Sequence, residues 1–262
     1  MDAGLRTSAT GMKAQQMMVD VIANNLANVN TTGFKRSRAS FEDLIYETLQ
    51  GARGAAGQGQ QEVALIQIGK GVRTNAITRL HNQGAVEQTG RGFDLAIEGD
   101  GFFQVQRPDG SVSFTRDGNF NRAENGTIVT QGGHPVWPGI TIPADATEAS
   151  ISSAGVVSAV VPGSSTPVEI GRLELARFVN PAGLEAIGEN QFRQTAASGQ
   201  PLTGLPQEGG FGRVLQGMLE SSNVEIVTEM TDMIAAQRAY EINAKAIQAA
   251  SDMAQATNGL IR

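Results

Sequence analysis

Few side chains in this sequence are of a type and spacing that could do chemistry. His81 and His134 are its only histidines, and they are far apart in the chain. A zinc site draws two of its ligands from a short spacing, and neither histidine belongs to such a pair. The dipeptides Asp100-Gly101, Asp109-Gly110 and Asp117-Gly118 invite a calcium site, but their surroundings match neither an EF-hand loop nor a nonapeptide calcium repeat. Gly69-Lys70-Gly71 lacks both the spacing of a phosphate-binding loop and the hydroxyl residue after its lysine. No Gly-x-Ser-x-Gly occurs, and without cysteine neither thiol chemistry nor a disulfide framework is available. The sequence predicts no enzyme, no cofactor and no metal.

The polar groups with a clearer purpose are amides. Asn24, Asn25 and Asn28 stand close together at the end of an apolar-periodic segment, although asparagine is a poor helix former. Each amide carries donors and an acceptor, which suits polar contacts to neighbouring helices at a fixed register. The run Asn30-Thr31-Thr32-Gly33 reads as a helix stop, with Gly33 free to turn left-handed and Phe34 packing back on the helix.

The elements that must position these amides are at the two ends of the chain. From about Asn223 to Ile261 mostly apolar or small residues recur at spacings of four and three: Ile226, Met230, Met233, Gln237, Tyr240, Ala244, Ile247, Ser251, Ala254. This is a heptad seam carried through about four heptads. Ser222 and Glu225 have capping-box spacing, and Glu225, Glu229 and Asp232 put negative charge at the positive end of the helix dipole. The same period begins at Leu5 and continues through Ala9, Met12, Gln16, Val19, Ala23 and Leu26. Both helices are also apolar on other faces, at Met17, Met18, Val21 and Ile22 and at Val227, Ile234, Ile242 and Ala246. One partner helix cannot cover so much surface, so both ends are expected to become ordered when copies pack together.

The interior is β-prone. Val63, Leu65, Ile66 and Ile68 and then residues 72–80 read as strands. From Phe93 onward the three Asp-Gly dipeptides, Asn125-Gly126 and Gly132-Gly133 read as five successive tight hairpins. Val105, Val112, Phe114, Phe120, Ile128 and Val129 are the expected core, Trp137 the expected packing anchor, and 204–212 a loop returning the chain to the last helix. The Gly/Ala/Gln-rich stretch Gln50–Gln61 has the composition of a linker. The predicted fold is α+β: N- and C-terminal helices forming a coiled-coil layer, with a β-rich, hairpin- or barrel-like middle domain. Its parts are 1–34, the N-terminal helix; 35–75, a linker with the Gly/Gln-rich extension; 76–212, the β domain; and 213–262, the C-terminal helix.

Composition limits the partners. The chain has 262 residues and a net charge of −6, with pI near 5.0, which argues against nucleic acid. No apolar run is long enough to span a bilayer. The N-terminus lacks the basic and apolar regions of a cleavable secretory signal.

Three separated segments carry a resemblance. Asn24-Asn25-Leu26-Ala27-Asn28-Val29-Asn30-Thr31-Thr32-Gly33-Phe34-Lys35 resembles the N-terminal signature of the bacterial flagellar axial proteins, the rod, hook and hook-associated subunits. Leu219-Glu220-Ser221-Ser222-Asn223-Val224-Glu225 resembles the other half of that signature. Asp94-Leu95-Ala96-Ile97-Glu98-Gly99-Asp100-Gly101-Phe102-Phe103 resembles the family's β segment. Length and the stretch Tyr46–Gly84 are most similar to the distal-rod members.

The resemblance implies a structural subunit that assembles with itself into a hollow helical tube, transmits torque to the hook and passes export substrates. It implies an insertion at 50–61 that lies along neighbouring subunits and stiffens the tube. Implied partners are other copies of the chain, proximal rod subunits, the hook protein, the P- and L-ring proteins and the flagellar export apparatus. The implied location is the basal-body rod, through the periplasm and the outer membrane, reached without a cleaved signal peptide. Expected self-assembly residues are Leu5, Met12, Val19, Asn24, Asn25, Leu26, Asn28, Gly33, Phe34, Ile226, Met230, Met233, Tyr240 and Ile247. The alternatives are another rod- or hook-type subunit, or a membrane-surface protein with amphipathic termini. The second would want Lys and Arg along the helix flanks, whereas residues 223–262 carry more acidic than basic side chains.

Overall fold

The computed structural model describes residues 2–50, 66–146, 148–162 and 167–260. The expected linker at 51–61, the strand expectation at Val63 and Leu65, and the helix end at Ile261 lie outside them. Two helices, α1 (Asp2–Ala27) and α2 (Ile226–Leu260), enclose a β-rich sequence. The architecture is therefore α+β. Strands β1 (Ser37–Asp43), β2 (Tyr46–Gln50), β3 (Ile66–Gly69), β4 (Val72–Arg79), β5 (Val86–Gln88), β6 (Leu95–Glu98), β7 (Phe102–Gln106) and β8 (Val112–Thr115) come first. They are followed by β9 (Asn121–Arg122), β10 (Ile128–Val129), β11 (Glu148–Ile151), β12 (Val156–Val160), β13 (Val168–Arg172) and β14 (Leu175–Arg177). The last are β15 (Glu185–Gly188), β16 (Gln191–Arg193), β17 (Leu202–Gly204), β18 (Arg213–Gln216) and β19 (Met218–Glu220).

The chain divides into two units, residues 1–26, 37–78 and 226–262 against residues 27–36 and 79–225. The β unit is organised by a six-stranded sheet in the order β15-β16-β8-β7-β14-β17. Successive strand residues point to opposite faces, so adjacent phenylalanines serve separate cores. Phe103 joins Leu95, Phe120, Ile128, Leu173 and Leu175 in one cluster. Phe102 joins Phe114, Phe178, Leu184 and Phe192 in the other. Edge-to-face ring contacts at 5.1 Å for Phe103–Phe120 and 4.8 Å for Phe114–Phe178 add geometry to the burial.

Of the five expected hairpins, three form. Asp109-Gly110 closes β7–β8, Asn125-Gly126 closes β9–β10, and Gly132-Gly133 turns the chain between the Val129–Pro135 bridge partners. The other two are corners. Asp100-Gly101 carries the chain from β6, which pairs with β18, to β7 in the main sheet. Asp117-Gly118 passes hard against β6, where a Cβ on Gly118 would lie 1.6 Å from the Leu95 carbonyl oxygen. The same dipeptide thus serves a turn in one place and a close backbone approach in another. Trp137 is not a buried anchor but 38% exposed, because its neighbours Val136 and Ile140 take the core positions.

The chain also returns to its last helix differently from expectation. After 204–212 it forms β18 and β19, paired with β6 and β5, and α2 begins only at Ile226. Ser222 therefore stands too early to cap the helix, and its hydroxyl accepts the Val224 N–H in a local turn.

In the helical unit, β1 pairs with β4 and β2 with β3. The Leu44 N–H donates to Gly71 O between the two pairs, so the strands make one continuous two-stranded ribbon. The span 35–75, expected as linker, carries this ribbon. Gly71 (φ +108°) lets it touch α1, since a Cβ there would strike the Thr10 hydroxyl. Thr10 Oγ1 in turn accepts the Val72 N–H.

Candidate functional site

Two features of the structure are built from the segments that the sequence singled out. The first is a buried clamp in the β unit. Lys35 and Glu220, 185 residues apart in sequence, form an ion pair with neither side chain exposed. Lys35 Nζ also donates to Asn82 O at 2.7 Å. Glu220 Oε1 accepts the Gly84 N–H at 2.9 Å, and its Oε2 faces Arg116 NH1 at 3.2 Å. Arg116 in turn donates to the carbonyls of Ile97 and Gly99. Every charge in the clamp thus has a partner, the condition for burying charge at tolerable cost. Burial pulls the Lys35 ammonium below its ordinary pKa against the opposing pull of Glu220, and it lowers Arg116 as well.

The backbone completes the clamp. The Gly33 N–H donates to Glu220 O, and the Arg36 N–H donates to Asn223 Oδ1. Asn223 Nδ2 donates to the carbonyls of Leu80 and Asn82. One asparagine therefore ties together the three segments around residues 36, 80 and 223. Gly33 has φ +67°, as its place in the helix stop requires, and a Cβ there would lie 2.5 Å from Asp117 N. Phe34 is buried beneath the Arg79 guanidinium, 5.9 Å from the ring centroid.

His81 borders this cluster, edge-on to Phe102 and Phe192 at 5.6 and 5.3 Å. Burial, with the cations Lys35, Arg116 and Arg79 around it, lowers its pKa to about 4. It is a neutral packing group at neutral pH. His134 is elsewhere in the β unit, 3.6 Å from Glu189. Among the described residues no cluster of histidine and carboxylate side chains is placed to hold a metal.

The second feature is the surface of the helical unit. Asn25 is buried, Asn24 exposed and Asn28 half-buried. Asn25 Nδ2 donates to Ser37 O at 2.9 Å and to Glu229 Oε2 at 3.0 Å, while its Oδ1 accepts the Ser37 N–H at 2.8 Å. The amide therefore joins the end of α1, the start of β1 and the first turn of α2. Leu5, Met12, Val19, Leu26, Met233 and Ile247 are half-buried, and Ile226, Met230 and Tyr240 are exposed. Val19 and Tyr240 meet at a cleft of about 540 Å³, shared with Gln16, Gln237 and Glu241. On α2 the exposed apolar side chains include Ile226, Val227 (73% exposed), Met230 and Ile234, which lie on one face at helical spacing. Among the described residues no helix is long and apolar enough to cross a membrane.

Comparison with known proteins matches three separate segments of the chain. Residues 5–35 match the family model described as flagella basal body rod protein. Residues 96–159 match the flagellar hook protein FlgE/F/G D1 domain, and residues 215–260 match the C-terminal domain of the flagellar basal body rod FlgEFG proteins. The flagellar basal-body rod protein FlgG of Borreliella burgdorferi is 49% identical over 260 residues, covering 98% of each chain. FlgG of Caulobacter vibrioides is 47% identical over 257 residues, also covering 98% of each. The chain belongs to the FlgG family of flagellar basal-body rod proteins. FlgF of Caulobacter vibrioides is more distant, at 34% over 259 residues.

The clamp joins two of the matched segments. Lys35 ends the N-terminal basal-body-rod match, and Glu220 lies near the start of the C-terminal one. Lys35, Glu220 and Asn223 stand inside the sequence motifs without a role being evident for any of them, and Arg116 and Asn82 stand outside every motif. A lysine just after a helix stop and a glutamate just before a helix were the available signals. Their pairing across the chain was not visible.

Proposed function

We propose that this chain is a structural subunit of the distal flagellar rod and that it assembles with itself into a hollow helical tube. The observation that carries this is the face of α2 bearing Ile226, Val227, Met230 and Ile234, left open to solvent in the single subunit. Burying a large apolar side chain stabilises by roughly 1.5–3 kcal/mol, so a repeated contact along this face is a strong drive to association. Contacts between unlike surfaces that do not close at one level generate a filament. The terminal helices of many copies would form an inner coiled-coil layer and the β units an outer one.

In that assembly torque passes to the hook through many packed interfaces, and export substrates pass along the lumen. Other rod subunits, the hook, the P- and L-ring proteins and the export apparatus are the partners this reading assigns. It places the assembly in the basal-body rod, through the periplasm and the outer membrane. The proposed contact residues are the eleven of those named from the sequence that are exposed or half-buried, with Val227 and Ile234 added; Asn25, Gly33 and Phe34 are buried in contacts within the chain and are withdrawn from the set.

The test is assembly of the purified full chain, followed by electron microscopy and sedimentation. The parent should form pelletable tubes. A Val227→Asp variant should stay soluble with an unchanged β-sheet circular dichroism spectrum. Tubes of normal length from the variant would remove this face from the contact.

A further inference from the structure

We propose that Asn25 and Glu229 form a register lock, which sets how α1 is aligned against α2 and therefore which stripe of α2 is offered to neighbours. Two contacts between the helices define how they are aligned. At one, Asn25 Nδ2 donates to Glu229 Oε2 at 3.0 Å, and both residues are 1% exposed. At the other, Gly11 faces the Asn243 side chain so closely that a Cβ on Gly11 would lie 3.1 Å from Asn243 Nδ2. From Gly11 to Asn25 is fourteen residues, and from Glu229 to Asn243 is fourteen residues in the opposite sense. The helices therefore run antiparallel, and the two contacts are two heptads apart on each. Midway between them, at the seven-residue spacing, stand Met18 on α1 and Ala236 on α2, the latter 2% exposed.

A seam of this kind has little to choose between alignments by apolar contact alone. Met, Ala and Ile recur on several faces of both helices, and a methionine side chain adapts to many surroundings. A single buried polar pair breaks that near-degeneracy, because any other alignment leaves a carboxylate and an amide buried without their partners. Asn25 can serve as the fixed half of the pair because its remaining amide atoms grip both backbone groups of Ser37, so its side chain cannot follow a sliding partner. Gly11, in a helix interior where glycine is costly, leaves the space that Asn243 fills in this alignment.

The consequence for assembly rests on the proposed function. A shift of one residue turns a helix face by about 100°, which would carry Val227, Met230 and Ile234 away from where a neighbour expects them. The alignment itself can be measured on the isolated full-length subunit and does not depend on assembly.

The chain has no cysteine, so paired thiols report cleanly. Gly11→Cys is combined in turn with Ala239→Cys, Asn243→Cys and Ala246→Cys, and disulfide yield is read under mild oxidation. A disulfide forms only where the two Cβ atoms are close. In the parent background only the Asn243→Cys pair should close. In an Asn25→Leu/Glu229→Leu background, where the seam is fully apolar and no charge is stranded, yield should spread over all three pairs. The Asn243→Cys yield should then fall roughly threefold, as three alignments share the population.

Closure confined to the Asn243→Cys pair in the doubly substituted chain would overturn the proposal, because the backbone connections would then set the alignment. Loss of all three crosslinks with the β unit intact would also overturn it, since the polar pair would be holding the helices together rather than choosing their register. Failure of the parent to form tubes would bear on the proposed function and leave the crosslink result standing.

Discussion

The β unit and the helical unit solve the problem of burial in opposite ways. The β unit places two phenylalanine-rich clusters on the two faces of one sheet, and it gives a buried lysine, glutamate and arginine partners from its own backbone. The helical unit shows Ile45, Ile77, Val227, Met230, Ile234 and Ile242 to solvent, and its strands form a ribbon only two strands wide. A two-stranded ribbon is marginal by itself, and a helix apolar on several faces is normally covered on several faces. One unit is closed within the single chain; the other leaves apolar faces open, which in the proposed assembly further copies cover. In the proposed assembly the difference teaches how a subunit houses two properties apart, its own stability in the β unit and its drive to polymerise in the helical unit.

The strongest attack on this comparison is on the clamp. Glu220→Gln leaves Lys35 and Arg116 buried beside a neutral amide, and the β unit should lose roughly 3–5 kcal/mol, read as a lower urea midpoint. If the midpoint hardly moves, the β unit does not depend on the clamp. Acid should have an effect of similar kind. The folded His81 holds its pKa near 4 against an ordinary value of 6.5, so between these values the unfolded chain binds a proton that the folded chain refuses. Stability from this group is therefore full above pH 6.5 and falls as pH drops through about 4. The loss is roughly 3 kcal/mol at about 1.4 kcal/mol per pKa unit. His81→Leu should flatten that part of the pH profile.

Gly33→Ala should cost about 2 kcal/mol, because the residue is left-handed and a Cβ would meet the backbone of Asp117. The smallest effect on the single subunit is expected in the helical unit. Val227→Asp should change monomer stability by no more than about 0.5 kcal/mol while abolishing tube formation. A large loss of monomer stability there would mean that the helical unit is already closed, and the comparison would fail.

What could be read from the sequence divides along the same line. The terminal helices were legible because a seven-residue period extends over many turns, and the hairpins at Asp109-Gly110, Asn125-Gly126 and Gly132-Gly133 because turn chemistry is local. Asp100-Gly101 and Asp117-Gly118 look the same in sequence but lead away from their preceding strands, and only the pairing of β6 with β18 makes that clear. Strands β18 and β19 have four and three residues, too few to show an alternation that a neighbouring helix pattern cannot imitate. The clamp was hidden for a simpler reason: an ion pair across 185 residues has no sequence period at all. Asn25 stood between these cases. Its type announced a fixed-register polar contact, but not that the contact would be made to Ser37 and Glu229 of its own chain.

The central claim is that the helical unit is completed by other copies. Amide hydrogen exchange on the full chain, as dilute subunit and as assembled tube, tests it most directly. Exchange protection reports the free energy of local opening, so a helix lacking tertiary partners exchanges fast and a packed one slowly. The account predicts strong protection in β6–β8 and β14 in both states. It predicts intermediate exchange along 226–260 in the dilute subunit, where α1 covers one face of α2 only, and much slower exchange there in the tube. Equal, strong protection of α2 in the dilute subunit would contradict it, for the helix would then need nothing that a neighbour provides.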